Sequence, residues 1–326
     1  MKAMVITQPG DPSVLQPQEV DAPRPAAEEI LVRVRATALN RADLLQRRGL
    51  YPPPPGVRAD IPGLEFAGEV ERCGERVTAW KPGDRVMGLL PGAGYAEHVV
   101  THQNLAMPMP ATLGFEEAAA IPEVFLTAYD ALVHRLRLQH GERLLIHAVG
   151  SGVGTAALQL ARKMGVTVFG TAGDPEKLKR AEELGLDVPI HYKSEDFAKV
   201  VQDETDGRGV DGILDVVGAA YWSQNLSCLA VLGRLVLVGL LGGIKVEADL
   251  FTLMRKRLTV VGTVMRGRSL EEKIALTQEF VRRVLPWFED GTVRPVVDRV
   301  FPLEKAAEAH AYMEANRNFG KIVLRV

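Results

Sequence analysis

A glycine-rich turn carries the clearest chemical signal in the chain and reads Gly150-Ser151-Gly152-Val153-Gly154. An apolar run precedes it, and the helix-forming run Thr155–Met164 follows it. A strand, a tight turn and a helix bring free backbone N–H groups and the positive end of a helix dipole to one point, which attracts a pyrophosphate. Glycines let the backbone come close to such a ligand. Thr155 stands where the G-x-G-x-x-G pattern has its third glycine, so the prediction of a dinucleotide site also rests on the alternating strands and helices around it.

The segment after the next predicted strand bears on the choice between NAD and NADP. An NAD site usually has an acidic residue about 20 residues beyond the turn, which binds the ribose 2′-hydroxyl. Here the strand ends in Phe169-Gly170-Thr171-Ala172-Gly173, and Asp174 is the first acid. Lys177 follows one helical turn later, and Tyr192-Lys193 lies beyond the next strand. A missing acid and a nearby cation favour a 2′-phosphate and therefore NADPH. The alternative, in which Lys177 is a solvated helix residue and Asp174 only caps the helix, keeps NAD open.

Serine and cysteine residues indicate no nucleophile and no cysteine-rich metal site. Ser151 is not part of a G-x-S-x-G nucleophile elbow, because Val149 replaces the first glycine, and this disfavours a hydrolase. Cys73 and Cys228 are too few and too far apart for a disulfide framework or a zinc site. Both lie among apolar residues and are interpreted as small core residues.

The histidines also have structural interpretations. His98 and His102 would lie about 13 Å apart on a strand that rises about 3.3 Å per residue, too far to share a metal, so no metal site is predicted. His147 ends an apolar strand and is interpreted as a packed or capped residue rather than a general base. The remaining histidines fall in separate segments and are predicted to be solvated: His98, His102, His134, His140, His191 and His310.

Composition and charge place the chain among soluble intracellular enzymes. Its 326 residues are 47% hydrophobic and 25% charged, and 39 Lys and Arg against 41 Asp and Glu give a formal net charge of -2. These proportions suit a globular protein of two domains, and the lack of a basic block disfavours nucleic acid or an anionic membrane as a partner. The start MKAMVITQPG lacks the apolar core of a secretory signal, and no apolar run of about 18 residues predicts a membrane span. A cytoplasmic location is expected.

Short strands separated by turns are predicted for the first third of the chain. Ile30–Ala38 alternates apolar and polar residues, as a strand with one buried face does. Further strands are predicted at Glu65–Glu71, Arg85–Gly88 and Ala96–Thr101. The prolines of Tyr51-Pro-Pro-Pro-Pro-Gly56 lack N–H donors, so this segment is predicted to be a stiff surface loop. Glu65 is either a pocket carboxylate or a paired, partly buried acid, and the paired form is favoured.

From about residue 126 the predicted strands alternate with helices. The strands are Leu144–Ala148, Val166–Thr171, Val210–Val217, Leu235–Gly239 and Leu258–Thr263. Asp174 is the predicted N-cap of a helix that begins with a proline. This alternation requires crossover connections and predicts a parallel sheet with helices on both faces. Helices at Leu270–Phe288 and Lys305–Ala315 and a strand at Lys321–Val326 follow.

Several motifs occur in the order that one known family has. They are Ala38-Leu39-Asn40-Arg41-Ala42-Asp43-Leu44, the proline loop 51–56, Pro62-Gly63-Leu64-Glu65-Phe66-Ala67-Gly68, Ala118-Ala119-Ala120-Ile121-Pro122, Gly152-Val153-Gly154-Thr155-Ala156 and Met313–Val323. On these residues, and over nearly its whole length, the chain resembles the zinc-independent NADPH:quinone oxidoreductases of the medium-chain dehydrogenase/reductase superfamily. It is similar to zeta-crystallin, and most similar to the tumour-suppressor-induced branch of quinone reductases.

The resemblance implies an α/β architecture in two domains. A Rossmann doubly wound parallel sheet, residues 126–266, is inserted in a GroES-like, mainly-β catalytic domain made of residues 1–125 and 267–326. The active site is expected in the cleft between them. Zinc-dependent relatives carry a Cys at the position of Asn40 and a His at that of Leu64, so the resemblance implies an enzyme without catalytic zinc.

The resemblance also implies roles for individual residues. Asn40 and Tyr51 match positions near the nicotinamide and the substrate and are the predicted catalytic residues, although Tyr51 has the alternative role of a loop anchor. Residues around the adenosine phosphate and ribose are matched by Lys177, Tyr192 and Asn316, and the family usually has a small polar residue where this chain has Asp174. The predicted cofactor contacts are Gly150, Ser151, Gly152, Val153, Gly154, Gly173, Lys177, Tyr192, Val217, Gly239 and Asn316.

The leading hypothesis is hydride transfer from NADPH to a small-molecule quinone or a related carbonyl acceptor, without a metal. Asn40 and Tyr51 would hydrogen-bond the accepting carbonyl or the carboxamide. One alternative is the reduction of an α,β-unsaturated carbonyl on the same fold. Another is a non-catalytic nucleotide-binding protein of the crystallin type.

A homodimer is also predicted. Leu258–Thr263 is the last strand of the alternating series, and in the superfamily that the chain resembles the corresponding edge strand pairs with its copy. Such pairing satisfies N–H and C=O groups that a bare edge would expose. The alternative treats Arg255, Lys256 and Arg257 as charged guards of a monomer edge.

Overall fold

The computed structural model describes all of residues 1–326, and the chain forms two compact units. Unit 1 contains Met1–Leu126 and Met265–Val326, and unit 2 contains Thr127–Val264. The boundaries expected from the sequence, 125/126 and 266/267, lie one residue and two residues away from these. Unit 1 is therefore built from both parts of the chain that flank unit 2.

Unit 1 consists mainly of β-structure, as predicted for a GroES-like domain. Its strands, numbered in chain order, are β1 (Lys2–Ile6), β2 (Leu15–Glu19), β3 (Glu29–Ala38), β4 (Glu65–Cys73), β5 (Arg85–Leu89), β6 (His98–His102), β7 (Ala106–Pro108), β14 (Val297–Pro302) and β15 (Lys321–Arg325). β1 and β2 form an antiparallel pair, and the other strands form a seven-stranded sheet in the order β14-β15-β3-β4-β5-β7, with β6 paired to β3. β3 alternates as predicted only in part. Ile30, Val32 and Val34 lie in the core while Arg33 is exposed, but Leu31 and Thr37 on the other face are buried as well.

Unit 2 is built around a six-stranded parallel sheet. Its strands are β8 (Arg143–Ile146), β9 (Thr167–Ala172), β10 (Val188–His191), β11 (Val210–Asp215), β12 (Leu229–Leu237) and β13 (Thr259–Gly262). They are hydrogen-bonded in the order β10-β9-β8-β11-β12-β13. The strand order reverses between β8 and β11, so the sheet is doubly wound and the predicted Rossmann fold is confirmed.

Eleven α-helices accompany these strands. They are α1 (Arg41–Arg47), α2 (Phe115–Ala119), α3 (Pro122–Tyr129), α4 (Gly152–Lys163), α5 (Pro175–Glu183), α6 (Phe197–Glu204), α7 (Trp222–Cys228), α8 (Leu250–Lys256), α9 (Leu270–Arg283), α10 (Leu285–Glu289) and α11 (Ala306–Glu314). The single helix predicted for Leu270–Phe288 is wrong, because Pro286 has no N–H to continue the helical ladder and the chain divides into α9 and α10. None of the helices combines the length and the apolar character needed to cross a lipid bilayer.

The connection between β8 and α4 is tighter than predicted. β8 ends at Ile146 instead of Ala148, since Ala148 has a left-handed backbone with a φ of 53°. α4 begins at Gly152, because the Ser151 hydroxyl oxygen accepts the N–H of Gly154 at 3.0 Å and caps the helix. This connection contains the predicted dinucleotide turn.

Candidate active site

The start of α4 in unit 2 presents two free hydrogen-bond donors. The N–H groups of Gly152 and Val153 have no acceptor in the structure, whereas that of Gly154 is occupied by Ser151. The first turn of this 12-residue helix carries no acidic side chain. Free donors at the positive end of a helix suit a phosphate group, so the turn fits the pyrophosphate of a dinucleotide.

Gly154 takes the role that the sequence motif gives to its third glycine. A Cβ atom on Gly154 would lie 2.5 Å from the carbonyl oxygen of Ala148 and 2.6 Å from that of Val149. Only glycine therefore lets α4 pack so closely on the end of β8. Thr155 is buried and donates its hydroxyl to the carbonyl oxygen of Gly152 at 3.1 Å, so the departure from the motif leaves the turn intact.

The end of β9 brings together residues predicted to lie around the ribose. A Cβ atom on Gly173 would lie 2.5 Å from the hydroxyl oxygen of Tyr192 and 3.0 Å from Cε of Lys193. Asp174 caps α5 as predicted, because its Oδ1 accepts the N–H of Glu176 at 3.0 Å, and Lys177 lies in the first turn of that helix. Lys193 is a second cation here that the predicted contacts omit, and its signal in the sequence is its position beside Tyr192.

A buried chain of polar side chains connects the ends of β8, β9 and β11. The Thr171 hydroxyl donates to Nδ1 of His147 at 3.1 Å, and Nε2 of His147 donates to Oδ1 of Asn225 at 2.7 Å. The Asn225 amide nitrogen donates to Asp215 at 3.0 Å, which leaves the Asn225 amide oxygen to accept from His147. The other ring nitrogen of His147 must then be the acceptor of the Thr171 hydroxyl. Burial lowers the pKa of His147, so its imidazole is neutral. His147 is thus a packed residue, as predicted.

Asp215 extends this network to the predicted cofactor contacts Val217 and Gly239. Its Oδ1 accepts the N–H groups of Val217 at 2.6 Å and Gly218 at 3.0 Å, and its carbonyl oxygen accepts the N–H of Gly239 at 3.4 Å. Asp215 and Asn225 therefore position the strand ends, although neither is among the predicted site residues. An acid at the end of the apolar strand β11 is the sequence signal for this role.

In unit 1, Asn40 lies in a buried polar cluster at the start of α1. Its Nδ2 donates to Oε1 of Glu65 at 2.8 Å, and its Oδ1 accepts a hydrogen bond from Nζ of Lys321 at 2.7 Å. Its backbone N–H donates to Asp43 at 2.8 Å. The Asn40 amide is therefore fixed on both sides, and the residue is only 8% exposed.

Glu65 and Lys321 form a buried ion pair beside Asn40. Nζ of Lys321 lies 2.7 Å from Oε1 of Glu65, and it also donates to the carbonyl oxygen of Leu39 at 2.7 Å. The interior position requires each charge to be paired. The predicted pairing of Glu65 is confirmed, while its burial is complete rather than partial. The only sequence signal for Lys321 is a lysine at the head of an apolar strand.

The loop of Tyr51 is held by Arg266. The guanidinium of Arg266, a buried residue, donates to the carbonyl oxygens of Pro91 at 2.7 Å and Tyr51 at 3.1 Å and to Oε1 of Gln46 at 2.6 Å. The half-buried Tyr51 hydroxyl has no hydrogen-bond partner in the structure. Burial raises the pKa of Tyr51, so the hydroxyl keeps its proton and remains a donor. Arg266 is a further positioning residue that the sequence prediction missed.

His310 is fully buried, so the prediction that it is solvated is wrong. Its Nδ1 accepts from Arg47 at 3.0 Å, its Nε2 donates to the Tyr95 hydroxyl at 3.2 Å, and Tyr95 donates to Asp43 at 3.2 Å. Burial beside Arg47 lowers the pKa of His310 to about 3, and burial raises that of Asp43 to about 6. The sequence signal is the helical spacing of the inner face of α11, which His310 shares with alanines and a methionine.

Asn316 follows α11 in unit 1 and has a left-handed backbone with a φ of 53°. Its side chain is exposed, and its Oδ1 accepts a hydrogen bond from Arg41. The predicted residues thus fall into two groups. Asn40, Tyr51 and Asn316 belong to unit 1, and all the other predicted cofactor contacts belong to unit 2.

The remaining candidate ligands and nucleophiles are dispersed. The structure brings no three His, Cys, Asp or Glu side chains together in a way that could hold a metal ion. His98 instead pairs with Glu71 at 3.0 Å. Burial raises the pKa of Cys228 to about 12, while Cys73 is partly buried, so neither thiol is activated.

Two protein-family models match the chain. The alcohol dehydrogenase GroES-like domain matches residues 26–111, and the zinc-binding dehydrogenase domain matches residues 152–281. Among curated relatives, the quinone oxidoreductase of Rattus norvegicus is 32% identical over 99% of this chain and 97% of its own length. The quinone oxidoreductase of Pseudomonas aeruginosa is 35% identical over 97% of this chain and 96% of its own length.

Solved structures share the fold over the whole chain. An NAD-dependent alcohol dehydrogenase has a TM-score of 0.90 and 33% identity, with 100% of both chains covered. A mycobacterial protein in complex with NADPH has a TM-score of 0.89 and 29% identity, also with 100% of both chains covered. These similarities extend to both units, so they concern the complete architecture rather than the dinucleotide fold alone.

Proposed function

Since this chain belongs to the quinone oxidoreductase family of the medium-chain dehydrogenase/reductase superfamily, we propose that it transfers a hydride from NADPH to a quinone. That the chain is an oxidoreductase with a nicotinamide cofactor follows from its relatives. The observation that carries the proposal is the pair of free N–H groups at the start of α4, within a doubly wound sheet. What we propose beyond this is that the cofactor is NADPH and that the acceptor is a quinone.

The residues at the carboxyl ends of the parallel strands suit the cofactor. The N–H groups of Gly152 and Val153 would bind its pyrophosphate, and Val217 and Gly239 would contribute neighbouring backbone that the Asp215 network holds in place. When bound, the cofactor supplies the hydride. The protein's part is to bind and orient the reactants and to keep the polar groups around them fixed.

NADPH is preferred over NADH in this proposal because of the charges at the end of β9. The Asp174 carboxylate already accepts a hydrogen bond as the cap of α5. The charges of Lys177, in the first turn of α5, and of Lys193, beside Gly173, suit a 2′-phosphate.

The proposed acceptor contact in unit 1 is the Tyr51 hydroxyl. It has no partner in the structure and keeps its proton, so it can donate to a quinone oxygen. Asn40 is not proposed as an acceptor contact, because its amide is already hydrogen-bonded to Glu65 and Lys321.

An acceptor screen tests this function directly. Loss of NADPH absorbance is followed with ortho-quinones, para-quinones and enones, with NADH in parallel. Fast turnover of a quinone with NADPH is the expected result. Faster turnover of enones would favour an α,β-unsaturated carbonyl reductase instead, and tight NADPH binding without turnover of any acceptor would favour a non-catalytic binding protein.

We also propose a homodimer that forms through β13. This strand lies at the sheet edge and pairs only with β12. Large apolar side chains of unit 2 near it in sequence are strongly exposed, and they include Leu241, Ile244, Leu250, Phe251 and Met254 at 61–75%. An exposed edge strand with such a surface supports pairing with a second copy.

A further inference from the structure

The carboxyl group of Glu123, in unit 1, has no assigned role in the site described above. Glu123 follows Pro122 at the start of α3, and its backbone N–H donates to Oε2 of Glu65 at 2.8 Å. Glu123 is therefore attached to the same cluster as Asn40, through the second oxygen of the Glu65 carboxylate.

The two glutamates of this cluster have opposite environments. Glu65 is fully buried and its Oε1 accepts from both Lys321 and Asn40. The carboxyl group of Glu123 has no hydrogen-bond partner in the structure, and the residue keeps partial exposure. Glu65 is thus committed to its neighbours, whereas Glu123 has a carboxyl group available for a ligand.

The charges around Glu123 favour its neutral form. The groups that interact electrostatically with it are Glu65, Asp43, Lys321, Arg266, Lys273 and Tyr51. The cations among them are engaged elsewhere, since Lys321 pairs with Glu65 and Lys273 donates to the carbonyl oxygen of Arg266 at 2.9 Å. Burial, and then the charge of Glu65, raise the pKa of Glu123 to about 8. A neutral carboxyl group beside a carboxylate that is already paired is suited to give a proton.

We infer that Glu123 is the catalytic acid that completes the reduction of the quinone, an inference that rests on the proposed function. Hydride addition brings two electrons and one proton to the quinone and leaves a hydroquinone monoanion. The O–H bond of the Glu123 carboxyl group then breaks, and the proton forms the second O–H bond of the hydroquinone. The Glu123 carboxylate regains its proton from water, so atoms and charges balance.

Tyr51 and Glu123 have separate parts in this scheme. The phenol of Tyr51 is held in its neutral form and donates a hydrogen bond to the acceptor oxygen. A carboxyl group that titrates close to neutral pH releases its proton far more readily than a phenol does, so Glu123 is the better acid. Both side chains belong to unit 1, and each interacts with the charge of Arg266.

The test compares the wild-type protein with Glu123→Gln, Glu123→Asp and the control Glu289→Gln, which alters an exposed acid of unit 1. For kcat/KM with a quinone, the wild type and the control should lose activity above about pH 8. Glu123→Gln should be slower by about 100-fold and lack this alkaline limb, as expected when a general acid is removed. Glu123→Asp keeps an acid and should recover part of the rate and the limb.

A second measurement needs no turnover. In infrared titrations of the protein without cofactor, the band of a protonated carboxyl group should disappear between about pH 7 and pH 9 in the wild type and the control, and be absent in Glu123→Gln. An unchanged rate and pH profile in Glu123→Gln would overturn the inference even if the band behaves as expected. Absence of quinone turnover in the wild type would overturn the proposed function and the role of Glu123 with it.

Discussion

The guanidinium of Arg266 lies over the aromatic ring of Tyr51, with Cζ 5.0 Å from the ring centroid, and also donates to the carbonyl oxygen of Tyr51. The same group reaches Gln46 on α1 and the turn at Pro91. One buried cation therefore fixes a proline-rich loop against two other segments of unit 1. The planar guanidinium is needed, because it can donate in several directions while stacking on a ring.

Arg266→Lys should loosen the Tyr51 loop without unfolding the protein. An ammonium cannot keep all three hydrogen bonds and the stacking, so we expect KM for the quinone to rise by about tenfold, the equivalent of about 1.4 kcal/mol, with a smaller change in kcat. Amide exchange in residues 49–57 should accelerate. Arg58→Lys, in the same loop but exposed and paired with Asp60, is the control and should leave both quantities unchanged. Unaltered exchange in Arg266→Lys would contradict the positioning role.

Lys177→Ala should weaken NADPH binding much more than NADH binding. A charge-assisted hydrogen bond to the 2′-phosphate contributes about 1.5–3 kcal/mol, so the dissociation constant of NADPH should rise by about tenfold to a hundredfold. Fluorescence titration with each cofactor measures the effect. Lys179→Ala, an exposed lysine on the same helix, is the control. Equal losses of affinity for NADPH and NADH would contradict a contact between Lys177 and the 2′-phosphate.

Lys321→Met should destabilise unit 1 strongly. The substitution leaves Glu65 buried without its cation, and removal of one partner of a buried pair costs about 3–5 kcal/mol. Adding Glu65→Gln to this variant should recover part of the loss, because the uncompensated charge is gone. Urea unfolding of the single and double variants gives the free energies of unfolding, and additive losses would mean that the two side chains do not stabilise each other.

His310 should make the protein less stable in acid. Its pKa is lowered to about 3 in the folded state, against 6.5 for an ordinary histidine, so only the unfolded state takes up this proton as the pH falls below 6.5. The free energy of unfolding should then fall by up to about 1.4 kcal/mol per pH unit towards pH 3 from this group alone. Asp43 acts in the opposite direction, because its raised pKa favours the folded state in acid.

The variant His310→Gln separates these contributions. Glutamine keeps a donor and an acceptor but does not titrate, so the variant should lack the histidine's share of the acid destabilisation. Urea unfolding at pH 7 and pH 4.5 measures the difference, which should be about 2–3 kcal/mol smaller in the variant. Parallel pH dependences in the two proteins would show that His310 titrates normally.

Light scattering at micromolar concentration should give a mass near twice the single-chain value of 35.6 kDa. Val260→Pro removes an N–H donor from the edge strand β13 and should shift the protein to monomer or to insoluble material. Val300→Pro changes a half-exposed strand position in unit 1 and serves as the matched control for the general effect of a strand proline. A single-chain mass for the wild type would refute the dimer.

The features that could be predicted from the sequence depend on local patterns. The alternation of β3, the strands of unit 2 and the capping of α5 by Asp174 each depend on residues that are close in the chain. The pair of Lys321 and Glu65 could not be predicted in this way, because the two residues are 256 positions apart. The contact of Arg266 with Tyr51 and the hydrogen bond of His310 with Arg47 depend equally on distant segments, which no local spacing reveals.

The position of β15 between β14 and β3 sets an order of events during synthesis. Unit 2 is one continuous segment, whereas the sheet of unit 1 needs a strand that follows every other element in the chain. Because the ribosome adds about 5–20 residues per second, unit 2 can fold before β15 is available to pair with β3. Until Lys321 emerges, Glu65 has no ammonium beside it, so this ion pair can stabilise the sheet only after the strand β15 has been made.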